Sequence, residues 1–133
     1  MFSRMMFPTL FVSDQDRALA FYELLGFEKR ADNLGPDGRF LMVGLKGDTA
    51  SMILWPGAGG KGATAPGAAP NTAAGAVFLH SDDLRRDFAE LKARGVALLE
   101  TEPEAYAYGL RATAVDPDGN LLSLRQVSPE WRS

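Results

Sequence analysis

An internal repeat constrains this chain more than any other feature. Leu10, Asp14, Leu19, Ala20 and Gly26 recur as Leu79, Asp83, Phe88, Ala89 and Gly95, each at an offset of 69 residues and with no gap. A strand, a cap, a helix and a stop that return in the same order imply one supersecondary unit built twice, since a single unit would leave its apolar face uncovered. The first copy reads as a strand over Phe7 to Val12 and a helix over Asp16 to Leu25 that carries Leu19, Ala20, Tyr22 and Glu23 in helical order, with Asp14 as N-cap and Gly26 as left-handed stop. The second reads as a strand over Ala76 to Leu79 and a helix over Leu84 to Arg94. Its Leu84, Phe88 and Leu91 recur at i, i+4 and i+7, Asp82 and Asp83 precede it, and Gly95 closes it.

Beyond the helices, Gly38 pairs with Gly109 at an offset of 71, so the second connection is two residues longer. Each glycine precedes two alternating strands: Arg39 to Leu45 and Ser51 to Trp55, then Leu110 to Val115 and Asn120 to Gln126. Between the copies lies PGAGGKGATAPGAAPNTAAG, almost uncharged and without periodicity, which reads as a linker. A flexible tether of about 20 residues reaches roughly 25 Å, enough for the second copy to pack beside the first or beside that of another chain. The expected organisation is one domain over 1–133, with module one at 1–55, linker at 56–75, module two at 76–127 and a C-terminal tail at 128–133.

Composition narrows the function classes. A chain of 133 residues with 46% hydrophobic residues is long enough to bury a core without disulfides or a structural metal. It has no cysteine, which excludes thiol nucleophiles, Cys-ligated zinc and iron–sulfur clusters, and one histidine, which excludes a His cluster. A net charge of -3 and a pI near 5.1 argue against a nucleic-acid or anionic-membrane surface. Met1 to Val12 is too short, and too soon followed by Asp14 and Asp16, to read as a leader. No other apolar run approaches the roughly 18 residues of a membrane helix. The expectation is a cytoplasmic protein with a small-molecule partner.

Three stretches carry a family resemblance: Phe11-Val12-Ser13-Asp14, the run RALAFYELLGF from Arg17 to Phe27, and Asp116-Pro117-Asp118-Gly119-Asn120 with the strand after it. Through them the chain resembles the vicinal oxygen chelate superfamily, which includes glyoxalase I, extradiol dioxygenases, fosfomycin-resistance enzymes and bleomycin-resistance binding proteins. The resemblance implies an α+β fold of two βαβββ modules, each curling its sheet into a half-barrel around a groove. It also implies, for metal-using members, four ligands in equivalent strands. Carried over, these positions are Phe7, Met52 or Leu54, Ala76 and Ser123. Phenyl, methyl, thioether and a single hydroxyl are not donors for a divalent transition ion. The expected metal ligands and cofactors are therefore none.

Strand alternation indicates what would line the groove instead. Phe7, Thr9 and Phe11 share one face of the first strand, as do Phe78 and His80 of the strand that opens the second module. Phe40 and Met42 point the same way in the first module, and Arg111, Thr113, Leu121, Ser123 and Arg125 in the second. This predicts an apolar, aromatic wall with a few polar groups, suited to a planar or amphipathic ligand. Tyr106 and Tyr108 in EAYAYG are placed to close over it, and Arg111 to pair with a ligand carboxylate or phosphate. The candidate ligand-binding set is Phe7, Thr9, Phe11, Phe40, Met42, Phe78, His80, Tyr106, Tyr108, Arg111 and Ser123. No catalytic residue is assigned.

Three motifs are set aside. Asp116, Asp118 and Asn120 resemble the start of a calcium loop, but Leu121 and Val127 stand where Gly and Glu are needed, so a hairpin turn is expected. Lys61 among glycines is followed by Gly62 rather than Ser or Thr, so it makes no phosphate loop. The charges from Asp82 to Arg94 are the solvated face of a helix. The leading functional reading is a metal-free binder that sequesters an aromatic or amphipathic compound, similar to the bleomycin-resistance branch and homodimeric as such binders often are. The rivals are a lyase, isomerase or dioxygenase of the same superfamily, either recruiting a metal through unmatched residues or metal-independent and using His80, Tyr106 or Glu104 for proton transfer, and a protein-interaction module with an occluded groove.

Overall fold

A computed structural model describes residues 1–57 and 77–131 of the chain. Two compact units, Met1–Gly60 and Lys61–Ser133, each carry one mixed sheet. The first runs β1 (Thr9–Val12), α1 (Gln15–Leu24), β2 (Phe27–Gly35), β3 (Gly38–Leu45) and β4 (Met52–Pro56), in sheet order β1-β4-β3-β2. The second runs β5 (Val77–His80), α2 (Leu84–Ala93), β6 (Ala97–Leu98), β7 (Glu104–Tyr106), β8 (Gly109–Val115) and β9 (Leu121–Val127), in order β5-β9-β8-β6 with β7 also on β8. In each unit the opening strand pairs in parallel with the last one, β1 with β4 and β5 with β9, and the other pairings are antiparallel. The repeat in the sequence is thus a repeat of topology.

The local signals act where the sequence places them. Asp14 accepts a hydrogen bond from the Arg17 N–H at 3.0 Å and Asp83 from the Arg86 N–H at 3.1 Å, so each helix starts on a carboxylate that satisfies an otherwise orphaned donor. Gly26 and Gly95 end them at φ +99 and +84, a conformation in which a Cβ would be strained. Each helix is also tied to its sheet by a glutamine. The Gln15 amide donates to the carbonyls of Arg39 and Leu54, and Gln126 Oε1 accepts from the Leu84 N–H at 2.8 Å.

One face of each sheet packs on its helix. In the first unit Leu10, Val12, Leu41, Val43, Met52 and Leu54 are buried together with Ala18, Phe21 and Tyr22 of α1. The Tyr22 ring meets Phe21 and Phe27 edge-on at 5.1 and 5.5 Å. In the second unit Ala112, Ala114, Leu122 and Leu124 are buried with Leu84, Phe88 and Leu91.

Several boundaries differ from expectation. Helix α1 spans Gln15–Leu24 rather than Asp16 to Leu25, and its core face is Ala18, Phe21 and Tyr22, while Ala20 and Glu23 are exposed. Helix α2 ends at Ala93, with Arg94 as its C-cap. Strand β1 starts at Thr9, so Phe7 and Pro8 precede it, although the Pro8 carbonyl still accepts from the Ile53 N–H. Pro56, assigned to the linker, is the last residue of β4 opposite Val12 and past the β3 pairing, where its missing N–H costs no ladder bond. Ala76 and linker residues 58–75 lie outside the described residues.

The strand after each helix differs between units. In the first, β2 is continuous apart from a register shift between Lys29 and Ala31, and the bulged Arg30 reaches the carbonyls of Leu45, Asp48 and Ala50. In the second, the same place holds Leu99–Pro103, which separates β6 from β7. There the Glu100 carboxylate accepts from the Thr113 N–H at 2.7 Å and its hydroxyl at 2.9 Å, standing in for a missing strand acceptor.

Candidate functional site

The face of each sheet turned away from its helix holds the candidate site residues, and the two faces differ in chemistry. On the second sheet the register aligns His80, Arg125, Arg111 and Glu104 in one row across β5, β9, β8 and β7. The next row holds Phe78, Ser123 and Thr113. Tyr106 lies opposite Gly109 at the hairpin end of the same face. Arg125 is buried, 6% exposed, with its guanidinium over the Phe78 ring at 5.0 Å and the Tyr106 ring at 5.4 Å. Arg111 lies over Tyr106 from the other strand at 5.5 Å. Tyr106 and Tyr108 meet edge-on at 5.8 Å across the two-residue turn between β7 and β8. A guanidinium over an aromatic face is held by the ring quadrupole, more firmly once desolvated, so these rings fix both cations in place.

The polar partners on this face are specific. Arg111 Nε is buried without a hydrogen-bond partner, and the Glu104 carboxylate stands 3.9 Å away, too far to accept one. Glu100 is engaged by Thr113. His80 is exposed and its Nε2 lies 3.1 Å from Asp82 Oδ1. The turn that feeds β9 is the expected hairpin: Asp116 Oδ1 accepts from the Asp118 and Asn120 N–H groups, and Gly119 takes φ +83.

The corresponding face of the first sheet is apolar. Thr9 lies opposite Ile53 and Phe11 opposite Trp55, and Met42 pairs with Ile53 from the other side. Phe40 shares that face by alternation; Phe7, Phe40, Met42, Ile53 and Trp55 are half-buried, and Phe11 is exposed. Where the second sheet has Arg111, Arg125 and His80, the repeat places Phe40, Trp55 and Phe11. Thus Phe78, His80, Tyr106, Arg111 and Ser123 share one face of the second sheet, whereas Thr9, Phe11, Phe40 and Met42 belong to the first sheet, with Phe7 just before its opening strand. Of the apolar, aromatic wall with a few polar groups expected from alternation, the first sheet carries the more apolar part and the second sheet the charged groups. Arg125, Glu100 and Glu104 were missing from the candidate set; alternation already placed Arg125 inward, but not its stacking.

The carried-over metal positions also change. Met52 and Leu54 lie on the buried, helix-facing side at 4% and 0% exposure, so the β4 residues facing the same way as Thr9 and Phe11 are Ile53 and Trp55. A register misread by one residue reverses the face, and alternation alone does not choose between the two phases. The side chains described at these positions, Phe7, Ile53 or Trp55, and Ser123, are not a donor set that fits a divalent ion, and no step through a metal is derived. Among the described residues no three His, Cys, Asp or Glu side chains are grouped so as to hold a metal ion. A bidentate ion pair lies elsewhere, at the β2–β3 end of the first unit. There Arg39 grips Asp32 through Nε and Nη2 at 2.8 and 2.9 Å and reaches Asp16 at 2.7 Å. Arg39, then Lys29, hold the Asp32 carboxyl well below the usual carboxylate range.

This architecture has a family. The model of the glyoxalase/bleomycin resistance protein/dioxygenase superfamily matches residues 4–124. The chain belongs to this superfamily. Within it, the chain is 35% identical to the antibiotic binding protein TnmS3 from Streptomyces sp. CB03234, covering 96% of this chain and 98% of that one at a TM-score of 0.75. It is 25% identical to a bleomycin-binding protein solved with bleomycin, over 95% of this chain and 100% of that one, at a TM-score of 0.62. An uncharacterised Bacillus subtilis (strain 168) protein, YetH, is 29% identical over 119 residues, which is 88% of this chain and 92% of its own length. Superfamily membership accounts for the twofold βαβββ topology and not for a particular chemistry, since the superfamily spans binders and enzymes. Among the described residues no helix is long and apolar enough to cross a membrane.

Proposed function

We propose that this chain is a binding protein that captures a small aromatic or amphipathic molecule, without a metal, in the manner of the antibiotic-binding branch of its superfamily. The observation that carries this reading is the pair Phe78 and Tyr106. Their rings lie on the face of the second sheet turned away from its helix, held against the buried Arg125, and Phe78 is 59% exposed, so it presents ring surface for stacking. The likeness to an antibiotic binding protein over nearly the whole chain supports the same reading. So does the lack of donor side chains at the described positions equivalent to the family's metal ligands. The first sheet separately carries the apolar face of Phe7, Thr9, Phe11, Phe40 and Met42, and the exposed Tyr108 adds to the second, in which Ser123 is fully buried. The protein is cytoplasmic and homodimeric in this reading, the latter checked by light scattering on a sizing column.

The test uses N-phenyl-1-naphthylamine, an uncharged fluorescent aromatic probe. Saturable binding is expected, and Phe78→Ala should weaken it more than tenfold, as loss of a central anchor does. Phe78 is exposed, so the variant keeps its fold, and far-UV circular dichroism verifies that. Native mass spectrometry of protein from its own host should show a co-purifying small molecule. Absence of saturable probe binding would overturn the proposal, as would a stoichiometric metal with turnover of hemithioacetals or catechols after chelator-free purification.

A further inference from the structure

We infer that His80 selects the ligand of the second sheet by accepting a hydrogen bond from it, so that the preferred ligand is an aromatic compound carrying a hydroxyl or N–H donor. This rests on the binding role proposed above and adds the residue that decides which aromatic compounds are kept. His80 is the one histidine of the chain, two residues after Phe78 on β5 and on the same face. Both side chains are exposed, whereas the residues opposite them on β9, Ser123 and Arg125, are buried. The surface a ligand can reach at this place is therefore that of β5, which ends the order of its sheet. Two residues of strand span about 7 Å, so the hydroxyl of a bicyclic compound stacked on Phe78 comes within reach of the imidazole.

Asp82 fixes what the imidazole offers. Its Oδ1 lies 3.1 Å from His80 Nε2. An ionised carboxylate only accepts, so Nε2 carries the hydrogen and the neutral ring keeps its lone pair on Nδ1. Among the described residues no group donates to Nδ1. The neighbouring polar groups are committed elsewhere: Ser81 Oγ donates to Asp87 and accepts from the Asp83 N–H, and the Asp83 carboxylate caps α2. A ring held in one tautomer by a carboxylate is an acceptor oriented before the ligand arrives, and little freedom is lost when the hydrogen bond forms. The repeat isolates the feature. At the offset of 69 residues the first module has Phe11 for His80 and Ser13 for Asp82, so this acceptor belongs to the second sheet alone.

The experiment titrates the full chain with 2-naphthol and 2-methoxynaphthalene, which share a ring system and differ in the donor, by isothermal calorimetry at about pH 8. The naphthol is expected to bind roughly three- to tenfold more tightly, the range of one neutral hydrogen bond. His80→Phe keeps a ring and removes the acceptor; it should abolish the difference by lowering naphthol affinity alone. Asp82→Ala, which removes only the positioning residue, should shrink the difference and leave affinity for the methoxy compound unchanged. With a single histidine, proton–nitrogen correlation spectra show one imidazole. It should be the Nε2–H tautomer, and 2-naphthol should shift its Nδ1 signal where 2-methoxynaphthalene does not. Equal affinity for the two compounds, failure of both to bind where N-phenyl-1-naphthylamine does, a naphthol preference that survives His80→Phe, or an Nδ1–H tautomer would each overturn the assignment to His80. Binding of N-phenyl-1-naphthylamine that Phe78→Ala weakens would then leave the binding role standing. If N-phenyl-1-naphthylamine and both naphthalene compounds fail to bind, the binding role itself fails.

Discussion

Gly109 is the position where one added methyl group should do the most damage. It opens β8 opposite Val127 at φ +146, and a Cβ built there lies 2.0 Å from the Gln126 carbonyl oxygen and 3.1 Å from Ser128 N. Carbon and carbonyl oxygen ordinarily approach to about 3.3 Å, so the contact is short by more than an ångström. The obstacle is the backbone of β9, which lies between β5 and β8, and Gln126 also holds the first turn of α2. It cannot rotate aside as a side chain would. Alanine at this position therefore costs about 1–3 kcal/mol for the backbone conformation and about 1–3 kcal/mol for relief of the clash, roughly 2–6 kcal/mol together. Gly119→Ala is the internal control: it stands at φ +83 with nothing within 4 Å, and should cost only about 1–2 kcal/mol. Urea unfolding of both variants, followed by far-UV circular dichroism, measures the difference. Because Gly109 pairs with Tyr106, Gly109→Ala should also disturb the ring that holds Arg111 and Arg125, and with it probe binding. A Gly109→Ala variant no less stable than Gly119→Ala would refute the argument.

Other residues make separate predictions. Glu100→Ala strands the buried Thr113 N–H and hydroxyl and should cost about 2–4 kcal/mol in urea unfolding, while Glu100→Gln, which keeps one acceptor, should cost less than half of that. Asp32 is deprotonated in the fold at a pH where the unfolded chain has already taken up a proton, so its contribution is complete above about pH 4 and is lost as the pH falls below that. The stability difference between the wild type and Asp32→Asn should accordingly be flat from about pH 5 to 7, shrink below about pH 4, and diminish in 1 M salt, as denaturation midpoints across pH would show.

The parts of this fold legible in the sequence are those specified by near neighbours along the chain. Asp14 and Asp83 cap their helices through N–H groups three residues on, Gly26 and Gly95 end them, and Leu84, Phe88 and Leu91 form one stripe by helical spacing. Strand β2 escaped because FEKRADNLG lies at a sheet edge with Phe27 its one buried residue, so no apolar alternation marks it. Alternation sorted Leu10 and Val12 from Thr9 and Phe11, yet in β4 it could not say which of two phases faces the helix. That choice is made by pairing with β1, more than 40 positions away. The same holds for the site: Arg111 and Arg125 were each readable as inward, but their shared row, and the stacking of Arg125 against Phe78 and Tyr106, exist only once strands distant in sequence have paired. Local hydrogen bonds and helical periodicity act over a few residues and can be read in order; register is chosen by which side chains can be buried together, and only the folded sheet makes that choice.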